Sequence, residues 1–309
     1  MDDSWSWRHM KAAYLTTRLI NEIQRETLNE ILVTCEGRLA PITLLKGSSS
    51  GTDLYPQPYL RVMRDLDLLV DPREQPKLER VLRELGFRQQ SKNSHEFYAT
   101  HHHSMPFYHS RRDVWVEVHR ALFPPGSKVA DLAVFSPGNI AAESRPSWFH
   151  GVPVMRLSTE LQIVYTASHW ALELKRVGGL FALLDIIYLL KRGQRNIRWD
   201  TICKWVRDSV AGAHLYIVLS YLKQNNIIDL DKVILADLRA CQRSFGMVNL
   251  KITHHLITRY LAAGKKPISE STLSALWEYL LLDQGPPRNL IFASKNLFPS
   301  FEFRRTMRN

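Results

Sequence analysis

The sequence predicts an α+β protein, with a mixed β-sheet and flanking helices over residues 1–157 followed by an all-helical domain over residues 158–309. Two segments alternate in the period-two pattern of strands buried on one face, Arg64-Asp65-Leu66-Asp67-Leu68-Leu69-Val70 and Val114-Trp115-Val116-Glu117-Val118-His119. Amphipathic helical spacing accompanies them, with Leu78, Val81, Leu82 and Leu85 on one stripe. From Ser158 onward the spacing is helical throughout, which marks a second unit of a different class.

The elements follow in order. Leu15, Leu19, Ile23, Leu28, Ile31 and Leu32 recur at helical spacing and predict a long helix over residues 10–33. Residues 42–45 are a short β-prone run that ends at Lys46-Gly47-Ser48-Ser49-Ser50-Gly51, a small-residue turn opening a short helix through Leu54 and Tyr55. After Pro56-Gln57-Pro58 comes the strand of Asp65 and Asp67, which turns at Asp71-Pro72. A helix over residues 74–85 is closed by Gly86. Residues 95–108 read as a strand, Ser110-Arg111-Arg112-Asp113 as a hairpin turn, and residues 114–119 as the strand returning antiparallel. Beyond residue 158 the expected helices are 159–173, 180–190, 199–210, 214–224, 231–241, 248–261 and 273–282.

With 309 residues, 45% of them hydrophobic, the chain can bury a sizeable core, which excludes a disordered or fibrous protein. Lys and Arg exceed Asp and Glu by 41 to 30, leaving a net charge of +11 without long blocks of one sign. That balance suits a polyanionic partner, nucleic acid or nucleoside triphosphate, and equally suits solvated helix faces. Cys35, Cys203 and Cys241 are far apart and form no CxxC pair, as expected in a reducing cytoplasm. The N-terminus lacks the basic and apolar regions of a signal peptide, and the apolar stretch 178–190, interrupted by Asp185, is too short to span a bilayer. A cytoplasmic location with no membrane segment is therefore expected.

Residues two apart on a strand share a face, so Asp65 and Asp67 project together while Leu66, Leu68 and Val70 face the core. Trp115, Glu117 and His119 share the face opposite Val114, Val116 and Val118, and adjacent pairing would bring Glu117 beside the aspartates. Clustered carboxylates repel unless protonated or bridged by a divalent cation. Mg²⁺, or Mn²⁺ in its place, is the natural partner, and such a site supports in-line attack at phosphorus. The Gly47-Ser48 turn offers backbone N–H groups at a helix N-terminus, the setting that favours a triphosphate. Ser48 can add a hydroxyl donor, and Lys46, Arg61 and Arg64 add positive charge. Arg61 is favoured over Arg64 for phosphate contact, because Arg64 can instead neutralise Asp65.

Taken singly, a Gly-Ser turn is common and an Asp-x-Asp strand can be a solvated edge. Their order is more specific. Leu45-Lys46-Gly47-Ser48, then Arg64-Asp65-Leu66-Asp67-Leu68-Leu69-Val70, then Val116-Glu117-Val118-His119 resembles the nucleotidyltransferase fold of the DNA polymerase β superfamily. More narrowly, the chain is similar to a poorly characterised bacterial nucleotidyltransferase-like family, on residues 42–119 and more loosely into the helical region. The resemblance implies Asp65, Asp67 and Glu117 as catalytic metal ligands, and Gly47 with Ser48 as the phosphate-binding turn. It also implies transfer of a nucleoside monophosphate from an NTP to an acceptor, with release of pyrophosphate. RNA or tRNA, a small molecule and a protein side chain all remain open as acceptor. The alternatives are a non-catalytic module that binds nucleotide or RNA, and transfer of the terminal phosphoryl group.

Other residues carry weaker signals. His101, His102 and His103 suggest zinc, but neighbours on a strand alternate faces and do not converge on one ion. His119 is either a group behind the acids or a packed core histidine. His169 and Asp185 are expected to pair, or else Asp185 with Lys175 or Arg176 lines the site, as the resemblance implies. Trp170, Trp199, Trp205 and Trp277 read as helix packing, and Arg304, Arg305 and Arg308 as a basic tail.

Overall fold

A computed structural model describes residues 3–241 apart from 128, 178, 179, 194 and 195. Chain contacts divide the molecule into two compact units. The first consists of Met1–Gly126 and Phe135–Ser158, the second of Ser127–Val134 and the chain from Thr159 onward.

The first unit opens with helix α1 (Asp3–Cys35), longer than its apolar stripe alone suggests. Strand β1 (Thr43–Leu44) leads into helix α2 (Lys46–Asp53), and strand β2 (Asp65–Leu69) into helix α3 (Gln75–Glu84). Gly86 closes α3 with φ +90°, the left-handed backbone that glycine adopts without penalty. Strand β3 (Arg88–Gln89), helix α4 (His95–Thr100), strand β4 (Phe107–His109) and strand β5 (Val114–His119) follow. Helix α5 (Pro137–Ala142) precedes strands β6 (Ser144–Phe149) and β7 (Val152–Leu157).

Among the described residues the strands form one seven-stranded sheet in the order β3-β4-β5-β2-β1-β7-β6. β2 pairs parallel with β5 and antiparallel with β1, and β1 pairs parallel with β7. The sheet is thus mixed, as the expected fold class has it. Leu66, Leu68 and Val70 of the β2 segment and Val114, Val116 and Val118 of β5 are buried with Leu28, Ile31 and Leu32 of α1 and Leu78, Val81 and Leu82 of α3. One apolar layer between helices and sheet therefore holds the acidic residues of β2 and β5 on the other face.

Several expectations need correction. Residues 95–108 are not one strand: Ser94 caps α4 by accepting the Phe97 N–H, His103 makes an isolated antiparallel bridge to His119, and the strand itself starts only at Phe107. A serine N-cap followed by Glu96 in the first turn outweighs the β-prone aromatic content there. The helix after β1 starts at Lys46 itself, so Gly47 and Ser48 lie inside its first turn rather than before it. The β6–β7 hairpin, which turns through His150 (φ +47°) and Gly151 (φ +85°), and helix α5 were not anticipated.

In the second unit the described residues form helices only beyond Ser158: α6 (Thr159–Val177), α7 (Leu180–Gly193), α8 (Trp199–Trp205), α9 (Val210–Gln224) and α10 (Lys232–Ala240). The expected 199–210 helix is two elements, because Asp208 takes φ +50° and Ser209 caps a new helix by accepting the Gly212 N–H. Trp170 is fully buried, as packing predicts, whereas Trp199 and Trp205 are half-buried. Asp185 is buried in α7. The expected helices 248–261 and 273–282, Trp277 and the terminal arginines lie outside the described residues, as do the side chains of Lys175 and Arg176. No helix among the described residues is long and apolar enough to cross a membrane.

Candidate active site

The parallel register of β2 and β5 sets Asp67 opposite Glu117 and Asp65 opposite Trp115. Because both strands bury their aliphatic residues on the helix side, the carboxylates are directed to the same opposite face. One ligand atom from each of Asp67, Glu117 and His119 lies within 4.8 Å of the others. The fully buried His119 donates from Nε2 to Asp67 Oδ1 at 2.9 Å, with Glu117 Oε2 at 3.3 Å. Lys46 Nζ completes the cluster, 2.7 Å from the same Asp67 oxygen.

These contacts set the charges. Burial disfavours an ionised Asp67, but the Lys46 ammonium and the His119 imidazole outweigh it and hold the carboxyl well below the usual range. Burial likewise opposes ionisation of Glu117, and the hydrogen bond from His119 brings its pKa down. Burial tends to neutralise His119, yet its hydrogen bonds to Asp67 and Glu117 raise its pKa. Asp65 behaves oppositely: burial, then repulsion from Asp67, push it up to about 7. Two like residues two apart on one strand are thus shifted in opposite directions, because of the two only Asp67 is held by Lys46 and His119 at hydrogen-bond distance.

Helix α2 positions the remaining predicted residues. Leu45 precedes it in extended conformation and offers no capping side chain, so backbone N–H groups of the first turn are directed beyond the helix end. Lys46 takes φ +44°, an uncommon value for a residue with a Cβ, at the junction of β1 and α2. Gly47 is required by space: a Cβ there would stand 2.7 Å from Met63 Cγ and 3.5 Å from Arg61 Nη1. Ser48 is buried and its Oγ accepts the Asp67 backbone N–H at 3.2 Å, which ties the helix to the acidic strand. Arg61 lies along Gly47 and Gly51 and donates to Val62 O. Arg64 is exposed beside Asp65.

A family model described as an uncharacterised nucleotidyltransferase matches residues 4–225. The chain belongs to that nucleotidyltransferase family. No curated protein matches it. Among solved structures, the antibiotic-resistance factor ANT(2'')-Ia aligns with 67% of this chain and 94% of its own, at 11% identity and a TM-score of 0.39.

The donor set of this nucleotidyltransferase suits a divalent cation. Asp67 and Glu117 offer hard carboxylate oxygens, as Mg²⁺ and Mn²⁺ prefer, while His119, which donates its Nε2 proton to Asp67, orients one of them. Sequence reasoning left the contacts of His119 unassigned, because its partner Asp67 is 52 residues away. It also missed Arg156 of β7, which is buried and donates to Ser49 O, to Ser49 Oγ at 3.1 Å and to Thr52 Oγ1 at 3.0 Å. Arg156 anchors α2 to the sheet. Asn21 of α1 does the same for the segment before β2, donating to Tyr59 O and accepting the Met63 N–H. Asn21 lies among the buried polar residues Gln24 and Thr27 of α1, so the sequence carried no signal that singled it out.

Proposed function

We propose that the protein transfers a nucleoside monophosphate from a nucleoside triphosphate to an acceptor hydroxyl, releasing pyrophosphate. The observation that carries the reading is the register of Asp67 against Glu117 across two parallel strands, with the first turn of α2 tied to Asp67 through Ser48. Asp65, Asp67 and Glu117 are the residues that would hold Mg²⁺ or Mn²⁺. A divalent cation held there neutralises triphosphate oxygens and makes the attacking hydroxyl more acidic.

The protein's own groups do the positioning. Backbone N–H groups of Gly47 and Ser48 receive phosphate oxygens, and Lys46 and Arg61, with Arg64 at the rim, supply positive charge. The acceptor oxygen attacks the α-phosphorus, the bond to the bridging oxygen of the β-phosphate breaks, and pyrophosphate carries away that electron pair. Glu117 either completes the cation's ligand shell or takes the acceptor's proton. RNA or tRNA, a small molecule and a protein remain the acceptor classes. We assign the chemistry to residues 1–157 and treat residues 158–309 as a separate helical domain in a cytoplasmic enzyme.

One observation favours a second reading. Lys46 and His119 already balance the charge of Asp67, so the cluster is stable without a cation, as a nucleotide- or RNA-binding module without turnover would require. Calorimetric titration with each of the four ribonucleoside triphosphates, with and without Mg²⁺, separates the two. Binding that requires Mg²⁺ and is lost in Asp65→Asn/Asp67→Asn supports transfer, and α-labelled nucleotide then identifies the acceptor. Binding indifferent to both Mg²⁺ and the substitutions supports the module.

A further inference from the structure

The consecutive histidines His101, His102 and His103 do not lie on a strand. His101 and His102 lie in the bend after α4 and His103 makes only an isolated bridge to His119, so the regular alternation of a strand does not govern the three. Their rings gather, with centroids 4.3 Å, 4.4 Å and 4.7 Å apart. One ring nitrogen of each lies within 4.8 Å of the others.

Nδ1 of His101 and Nδ1 of His102 are buried without a partner. Buried polar nitrogens normally find one, and two orphans side by side call for a shared ligand. The third ring is set up differently: His103 Nδ1 lies 2.7 Å from Ser104 O, and since a carbonyl only accepts, that nitrogen carries the proton. In the neutral ring Nε2 then presents a lone pair, the tautomer that a backbone carbonyl fixes in metal-binding histidines. That Nε2 lies 3.9 Å from Glu117 Oε2, so two acceptors face each other.

The backbone is pinned as well. Ser104 N–H donates to Val118 O at 2.9 Å, Arg120 N–H to His102 O at 2.9 Å, and Arg120 Nε to His101 O at 2.8 Å. The segment is thereby fastened to the end of β5, and only ring rotations remain to close the site. A tetrahedral Zn²⁺ with bonds of about 2.0–2.1 Å sets its nitrogens about 3.3 Å apart, a contraction that side-chain rotation supplies.

We propose that His101, His102 and His103 form a three-imidazole site for a first-row transition-metal ion of the Zn²⁺ class, with an open fourth position toward Glu117. Imidazole donors separate it in preference from the carboxylate cluster, which suits Mg²⁺. The site borders the proposed transfer site at Glu117 but is read by metal binding alone, so its test needs no nucleotide.

The test is Zn²⁺ titration of the metal-free full-length protein against a competing chelator in excess Mg²⁺, with Co²⁺ as a spectroscopic probe. The expected result is one Zn²⁺ per chain, a four-coordinate Co²⁺ spectrum, and affinity lowered more than about tenfold in His101→Ala and in His102→Ala. Glu117→Gln and Asp67→Asn should leave the affinity within about threefold, which is under about 0.7 kcal/mol. His102→Gln and a Zn²⁺-induced rise in Tm, present in the wild type and absent in that variant, serve if an alanine variant fails to fold. Absence of stoichiometric binding, loss of binding in Asp67→Asn or Glu117→Gln, or binding insensitive to both histidine substitutions would overturn the proposal.

Discussion

Lys46 Nζ lies 2.7 Å from Asp67 Oδ1, so the first residue of α2 is ion-paired to the centre of β2. Asp67 is fully buried and Lys46 only partly so, which places most of the desolvation cost on the carboxylate. Lys46→Met is expected to destabilise the protein by about 3 kcal/mol, since it leaves a buried charge with His119 alone. Mg²⁺ should then raise Tm more in Lys46→Met than in the wild type, because the cation takes over the missing charge. Thermal unfolding with and without Mg²⁺ checks this, and equal responses in the two proteins would count against a cation site at Asp67.

Gly47→Ala is expected to cost about 1–3 kcal/mol through overlap with the Met63 side chain, as overpacking does. Met63→Ala in the same chain should recover part of that loss. A double-mutant cycle by urea unfolding measures the recovery, and strict additivity would show that the overlap is not the cause.

Asp65 gives a pH dependence of definite sign. Its folded pKa of about 7 lies above the unfolded value, so the folded state holds a proton that the unfolded state has lost. The stabilisation is complete below about pH 3.9 and declines as pH rises to 7. Asp65→Asn should therefore raise Tm at pH 8 and leave it nearly unchanged at pH 4. Calorimetric scans at both values test it, and a lower Tm for the variant at pH 8 would contradict the assignment.

His119 works in the other direction on its neighbours. It depresses the pKa of Asp67 and of Glu117, and stability from a depressed carboxylate is present above its unfolded pKa and lost as pH falls through the folded one. His119→Gln should raise both values and move the acid-unfolding midpoint upward by about one pH unit. Circular dichroism across an acid titration reads the midpoint, and an unmoved or lower midpoint would refute the coupling.

The strand faces of Asp65, Asp67 and Glu117 were legible because period-two alternation with buried aliphatics leaves only one orientation for each strand. Helix α3 and its Gly86 cap were legible for the same local reason. Lys46 to Asp67 and His119 to Asp67 were not, since each contact joins separate elements and only the folded register brings the partners together. The short α4 was misread because Phe97 and Tyr98 favour strands locally, while one serine cap decides for helix. The β6–β7 hairpin carried a signal in His150-Gly151, a dipeptide that tolerates two left-handed residues in a row.

The place of β7 in the sheet bears on how the chain folds as it leaves the ribosome. β1 lies between β2 and β7, and Arg156 of β7 holds Ser49 across a separation of 107 residues. A nascent chain that ends before Val152 therefore exposes an unpaired edge on β1 and leaves α2 without its anchor. The acidic strands β2 and β5 can meet earlier, but the first turn of α2 is secured last. Synthesis order and loop-closure entropy both delay that step, which makes the interval before β7 emerges the period of greatest exposure to misassembly.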